Sequence, residues 1–126
     1  MLVNVDEQLD KDIAMSNTNI KHINGTVRYL QRRALGANST LHVSLLDVTV
    51  IDAPKQIAAQ TTPHAETAGL HFDLAYNMAD VLPEHRYAIS ATIKTNDQAV
   101  FTTNGHHYVE LGVDHLQPQD ILVRSV

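Results

Sequence analysis

The sequence has 126 residues, 44% hydrophobic and 18% charged: enough for one domain with a core, too few for two, and too apolar for a disordered or low-complexity chain. Nine Lys and Arg against fourteen Asp and Glu give a formal charge of −5, which argues against nucleic acid as the main partner, and no run of ~18 apolar residues offers a membrane-spanning helix. Without Cys or Trp there are no disulfides, thiolate nucleophiles or Cys-type metal sites, and few platforms for stacking bases or sugars.

Residues 1–17 differ in character from the rest of the chain. Val5, Leu9 and Ile13 recur every four residues among Asp6, Glu7, Asp10, Lys11 and Asp12, a spacing that suits a short amphipathic helix of marginal stability. This segment reads as a tether or arm, and residues 18–126 as a single β-sandwich domain. The opening Met1-Leu2-Val3-Asn4-Val5-Asp6-Glu7 lacks the basic and apolar regions of a signal peptide.

From Asn17 onward the period becomes two. Ile23, Gly25, Val27 and Tyr29 alternate with Asn24, Thr26 and Arg28, the pattern of a half-buried strand. A loop from Arg32 to Ser39 leads to the longest strand candidate, Thr40 to Ile51, whose phase slips: Leu41, Val43 and Leu45 lie on one face and Leu46, Val48 and Val50 on the other. A bulge near Leu45 and Leu46 that returns both sets to one core, or a corner between sheets, would account for this. Lys55 to Thr61 offers a weaker strand and Thr62 to Gly69 a loop. Leu70, Phe72, Leu74 and Tyr76 alternate cleanly, as do Tyr87, Ile89, Ala91 and Ile93, with a turn from Asn77 to Glu84 between them. Thr95-Asn96-Asp97-Gln98 is turn chemistry leading into Ala99 to Thr103. Asn104-Gly105 is the strongest type I′ hairpin signal and predicts that His106 to Leu111 pairs back across it. Asp120 to Val126 supplies a last strand. Seven or eight short strands without a long helix predict an all-β fold, an antiparallel β-sandwich or partly closed barrel. Its expected core is Val27, Tyr29, Leu41, Val43, Leu70, Phe72, Leu74, Ile89 and Ile93.

Several of these segments together resemble one family. They are Gly25-Thr26-Val27-Arg28-Tyr29, then Leu41-His42-Val43-Ser44-Leu45-Leu46-Asp47-Val48 with Asp52-Ala53-Pro54, Phe72-Asp73-Leu74-Ala75-Tyr76-Asn77, Arg86 to Ile93, and Phe101-Thr102-Thr103. Their order and spacing, from about Ile23 to Thr103, are similar to those of the YbaY-like lipoproteins, grouped with the YscW type III secretion lipoprotein chaperones, or pilotins. The resemblance implies a small β-sandwich, exported to the periplasm and lipid-anchored at the outer membrane of a Gram-negative bacterium. It also implies an envelope partner such as a secretin. With no Cys to acylate, the implied signal and anchor are expected to lie ahead of Met1.

Candidate chemistry is sparse. Among eight His, His106-His107 precedes Tyr108, and His64, His71 and His115 are possible neighbours in space. Adjacent strand residues point to opposite faces, so His106 and His107 are not expected to share an ion, and surface positions explain these residues better than a metal site. Protonating all eight would move the formal charge from −5 to +3 on passing below the ordinary His range near pH ~6.5. Ser39, Ser44 and Ser90 lack a Gly-x-Ser-x-Gly setting and read as outward strand positions. Asp73 and Glu110 read as solvent-facing; Asp47, beside the phase slip, is expected to turn inward and pair with Arg28 or Arg86. Arg28, Arg32 and Arg33 form the main basic cluster, a solvated patch or a docking point for an acidic peptide. The scattered glycines at 25, 36, 69, 105 and 112 make no phosphate loop, and the sequons at Asn24 and Asn38 read as chance in a bacterial chain. No catalytic, metal or cofactor residue is assigned. The expected function is binding without catalysis, as a protein-binding or chaperone module. The alternative is a structural envelope lipoprotein that takes a glycan or other small ligand, for which Tyr108 is the free aromatic. The late strands, His106 to Leu111 and Asp120 to Val126, are where the partner surface is expected.

Overall fold

Period-two alternation sends every second side chain to one face of a strand, and two such faces close on each other in the computed structural model, which describes residues 19–126. The expected arm over residues 1–17 lies outside the described residues. The strands are β1 (Ile20–Arg28), β2 (Ser39–Asp47), β3 (Lys55–Pro63), β4 (His71–Asn77), β5 (Tyr87–Thr95), β6 (Gln98–Thr102), β7 (His107–Val109), β8 (Gln119–Leu122) and β9 (Arg124–Ser125). One helical turn, α1 (Ala65–Ala68), and two 3₁₀ turns, η1 (Met78–Asp80) and η2 (Asp114–Leu116), complete the elements. One sheet has the order β4-β1-β8; the other runs β3-β2-β5-β6-β9, with β7 also paired to β5.

The sandwich is therefore the expected one, with more strands and one exception to its antiparallel pairing: β1 and β8 run parallel, with Val27 opposite Ile121. That exception explains the last segment. The expected strand from Asp120 to Val126 is two short strands in different sheets. Val123 still donates its N–H to the Arg28 carbonyl at 2.9 Å, and Arg124 then pairs with Thr102 of β6. The chain thus joins the two sheets along one side. On the other side α1 connects β3 to β4, and the Gln60 side chain accepts the Asp73 N–H at 2.7 Å, satisfying a donor on edge strand β4.

Of the expected core, Val27, Leu41, Val43, Phe72, Leu74, Ile89 and Ile93 are buried, whereas Tyr29 and Leu70 are only partly buried against it. Tyr29 stacks on Phe101 at a centroid distance of 4.4 Å and so covers the core from the rim. Ile23, Leu45, Ile93 and Ile121 are 0% exposed; burying a side chain of that size is worth about 1.5–3 kcal/mol.

One local expectation is borne out in part, and a second is corrected. The phase slip does mark a register shift between Leu45 and Leu46, but against β3 only: Leu45 faces Ala58 and Leu46 faces Gln56, so the extra residue is Ile57. Against β5, β2 is continuously paired from Ser39 to Asp47, Leu46 remains on the outer face, and Val50 is 61% exposed. The Asn104-Gly105 hairpin does not form. β6 and β7 both pair with β5, Phe101 with Ile93 and Tyr108 with Ala88, so they follow one another along the same edge. A type I′ turn needs positive φ at both central residues; Gly105 has φ 84°, but Asn104 is not among the positive-φ residues. Asn96 and Asp97, at φ 51° and 67°, make that turn instead, between Thr95 and its partner Gln98.

Candidate functional site

The pairing of Asp47 with Tyr87 brings the end of β2 beside the start of β5, and the pairing of Ile20 with Asn77 brings the start of β1 beside the end of β4. At this end of the sandwich lies an open groove of about 520 Å³. The connection from η1 to β5 supplies one wall, with Val81, Leu82, His85 and Arg86; β7 and the segment after it supply the other, with Tyr108 from the strand and Glu110, Leu111 and Asp114 beyond it. Tyr87 and Val109 lie between them, both buried.

Each wall is fixed by buried groups. The Tyr87 hydroxyl accepts the Leu82 N–H at 2.8 Å and donates to the Asp80 carbonyl at 3.4 Å, so a core tyrosine holds the first wall by its polar tip. Asp47 fixes the same wall from below. It is buried, and its Oδ1 accepts from Thr49 Oγ1 at 2.6 Å and from the Thr49 N–H at 3.0 Å. Its Oδ2 lies 2.6 Å from His85 Nδ1. Burial pushes the Asp47 carboxyl upward, but the Thr49 and His85 hydrogen bonds and the nearby His85 charge outweigh it and hold the group at about 2, below its ordinary 3.8. On the second wall, Asp114 accepts the Glu110 N–H at 2.7 Å, and the Tyr76 hydroxyl accepts the Gly112 N–H at 3.1 Å. Between the walls the Arg86 guanidinium sits 5.8 Å above the Tyr108 ring, in cation–π range. Leu82 and Tyr108 are 47% and 55% exposed. The groove therefore offers apolar contact area, a stacked Arg–Tyr pair and carboxylates from Glu110 and Asp114.

Among the residues singled out from sequence, Arg86, Tyr108 and Glu110 enter this groove, and Asp47 supports it. Asp47 turns inward as expected, but its partner is His85. Arg28 instead holds Asp120, Nε to Oδ1 at 2.8 Å, and the Arg86 backbone N–H donates to Thr49 Oγ1 at 2.9 Å. The basic cluster is divided in the same way: Arg33 lies 5.0 Å over Phe101, while Arg32 is exposed. His106 packs on Tyr108 with centroids 5.2 Å apart, whereas His107 Nε2 lies 3.0 Å from Gln119 Oε1. No group of three or more His, Asp or Glu able to hold a metal ion is found among the described residues. Asp73 is exposed beside His22. Ser39, expected to point outward, is fully buried and bonds Gly36 and Thr95 at 2.7 and 2.8 Å. Its N–H is taken by Glu66, at 3.0 Å. Ser44 and Ser90 face each other across β2 and β5. Val81, Leu82 and His85 were not singled out from the sequence. They sit in a connection without periodicity, and only the exposed apolar Leu82 beside Pro83 leaves a trace there.

The family described as the type III secretion system lipoprotein chaperone, YscW, matches residues 18–120. The chain is 38% identical over 85 residues to the uncharacterized lipoprotein YbaY of Escherichia coli K12. That match covers 66% of this chain and 45% of the relative, so the chain spans less than half the length of that curated relative. Among solved structures, an alternative pilotin from the type II secretion system of Vibrio cholerae superposes with a TM-score of 0.75 at 31% identity. The superposition covers 85% of this chain and 97% of that one. Among the described residues, no helix is long and apolar enough to cross a membrane.

Proposed function

The chain belongs to the YscW family of type III secretion system lipoprotein chaperones, and from that premise we propose that it is a non-catalytic, pilotin-like lipoprotein domain that binds a segment of an envelope protein such as a secretin in the groove beside Tyr108. The observation that carries this reading is the groove itself: an open, partly apolar concavity with Leu82 and Tyr108 exposed, on a fold shared with a pilotin. Exposed apolar side chains beside an aromatic–cation pair are the composition of a protein-binding surface. The domain works at the periplasmic side of the outer membrane, held there by a lipid anchor. The proposed site takes in one of the two late segments expected from sequence, His106 to Leu111, through Tyr108, Glu110 and Leu111, while the segment from Asp120 to Val126 joins the sheets.

Affinity capture from solubilised Gram-negative envelopes tests the proposal, with the wild-type chain and a Leu82→Asp, Tyr108→Ala variant side by side. Recovery of a secretin by the wild type and its loss with the variant supports the reading. Recovery of no envelope protein, together with retention on a glycan array, overturns it in favour of a glycan-binding lipoprotein.

A further inference from the structure

The exposed apolar side chains are distributed unevenly. Val50 and Ile51, 61% and 88% exposed, follow β2, and the Val48 N–H bonded to the Arg86 carbonyl at 2.8 Å anchors the start of their turn beside the first wall of the groove. Ile20 opens β1 at the same end, where the Asn19 carbonyl accepts the Met78 N–H at 3.0 Å. With Leu82, Tyr108 and Val113 these make a discontinuous apolar rim, whereas Leu30 lies past the far end of β1, Val126 bonds Val100 at that far end, and Leu116 stands in η2.

Charge is distributed unevenly too. The far end carries Arg28, Arg32, Arg33, Lys94 and Arg124 against Glu66, Asp97 and Asp120, the last paired with Arg28. The rim carries Asp52, Asp80, Glu84, Glu110 and Asp114, besides Asp47, which is buried against Thr49 and His85. Its cationic side chains are Lys21, Lys55 and Arg86, the last lying over Tyr108.

We propose that this apolar, acidic end binds a cationic amphipathic segment of the partner protein, with apolar side chains in the groove between Leu82 and Tyr108 and Lys or Arg facing Glu84 and Glu110. The inference rests on the protein-binding reading and specifies its partner. A groove of this volume accepts a few side chains from one face of a segment, spaced as helix anchors are, and carboxylates at the rim select among such segments by charge. The same carboxylates oppose docking on an anionic membrane surface. They also oppose a symmetric pairing of two copies through this end, which would set like charges against each other.

The test uses two labelled synthetic peptides with one apolar pattern at i, i+3, i+4 and i+7, one with Lys and one with Glu at the remaining positions. Binding to the 126-residue chain is read by fluorescence anisotropy at low and high salt. The Lys peptide is expected to bind about tenfold or more tightly than the Glu peptide at low salt, with the gap narrowing as salt screens it. Glu84→Gln and Glu110→Gln should each reduce that preference about threefold, Leu82→Ala should weaken both peptides, and Asp97→Asn at the far end should leave the preference unchanged. Equal affinities, a preference for the Glu peptide, or an equal loss with Asp97→Asn would overturn the charge assignment while leaving secretin capture to stand on its own result. Binding of neither peptide overturns it as well, as does chain that binds anionic vesicles through this end or self-associates there with rising concentration.

Discussion

Replacing Asp47 with Asn tests whether the groove wall is held by a buried charge. Asp47 has a side-chain exposure of 10%, so solvent screening is weak and the depression of its carboxyl from 3.8 to about 2 reports on stability. At ~1.36 kcal/mol per pH unit, that depression corresponds to about 2 kcal/mol favouring the folded state. The sign follows from linkage: an acid with a folded-state pKa below its unfolded value contributes fully above that unfolded value, near pH 4, and loses the contribution as pH falls through about 2. Asn keeps an acceptor for the Thr49 N–H but removes the charge and places an amide where one carboxylate oxygen lies. Urea unfolding of both proteins should therefore show the variant less stable by about 2 kcal/mol at pH 5 to 7, a melting temperature lower by roughly 8 °C for a domain of this size. The difference should shrink steadily between pH 4 and 2. Comparing the two proteins at each pH cancels the acid sensitivity of the other carboxylates. A difference that is constant from pH 7 to pH 2, or below about 0.5 kcal/mol throughout, would refute the argument, because neither result is compatible with a charged buried Asp47 held by Thr49 and His85.

Other substitutions probe the fold at separate points. Gly25→Ala would drive a Cβ into the Gln119 backbone of β8; a loss of about 3 kcal/mol in urea unfolding is expected, with hydrogen-exchange protection falling first in β8. Phe101→Ala removes a ring that is 1% exposed and stacked on Tyr29, and should cost about 3–5 kcal/mol by the same assay. Asp97→Gly places the favoured residue at φ 67° in the type I′ turn and should stabilise the protein by about 0.5–1 kcal/mol, read as a raised melting temperature. Arg28→Ala breaks a pair whose partners are 53% and 59% exposed, and thermal unfolding should register a change below about 1 kcal/mol.

The strands legible in the sequence are those whose one face is buried along their length. β1, β4 and β5 alternate because each lays one row of side chains into the sandwich, and that constraint is local and periodic. What the sequence hid depends on pairings between distant residues. Asn104-Gly105 has the composition of a hairpin turn, but composition does not tell whether the following segment pairs with the preceding one. Here β7 takes the remaining length of β5 instead, and Asn96-Asp97, with less favoured turn chemistry, makes the reversal. The phase slip at Leu45 and Leu46 shows the same division. Its position was readable in β2, yet the extra residue, Ile57, belongs to the neighbouring strand. Asp47 follows from both: continued alternation against β5 carries it inward, so its burial could be read locally. Its partner could not be, because His85 lies 38 residues away in a connection with no period.

The groove extends that reasoning to function. Its floor, Tyr87 and Val109, belongs to paired strands and carries the strand signal. Its walls come from the segment before β5 and from β7 with the segment after it, brought together only because both strands share a register. Each wall has its own clamp, the Tyr87 hydroxyl with Asp47 on one side and the Tyr76 hydroxyl on the other. These buried groups, together with the pairing of Tyr108 with Ala88, thus set the separation between Leu82 and Tyr108. A partner meeting this surface finds the apolar groups already in place and does not have to order both loops on binding, a cost that otherwise offsets interface energy. If the partner is anchored between Leu82 and Tyr108, weakening either clamp should then weaken binding through that separation, even though neither Asp47 nor Tyr76 lines the groove.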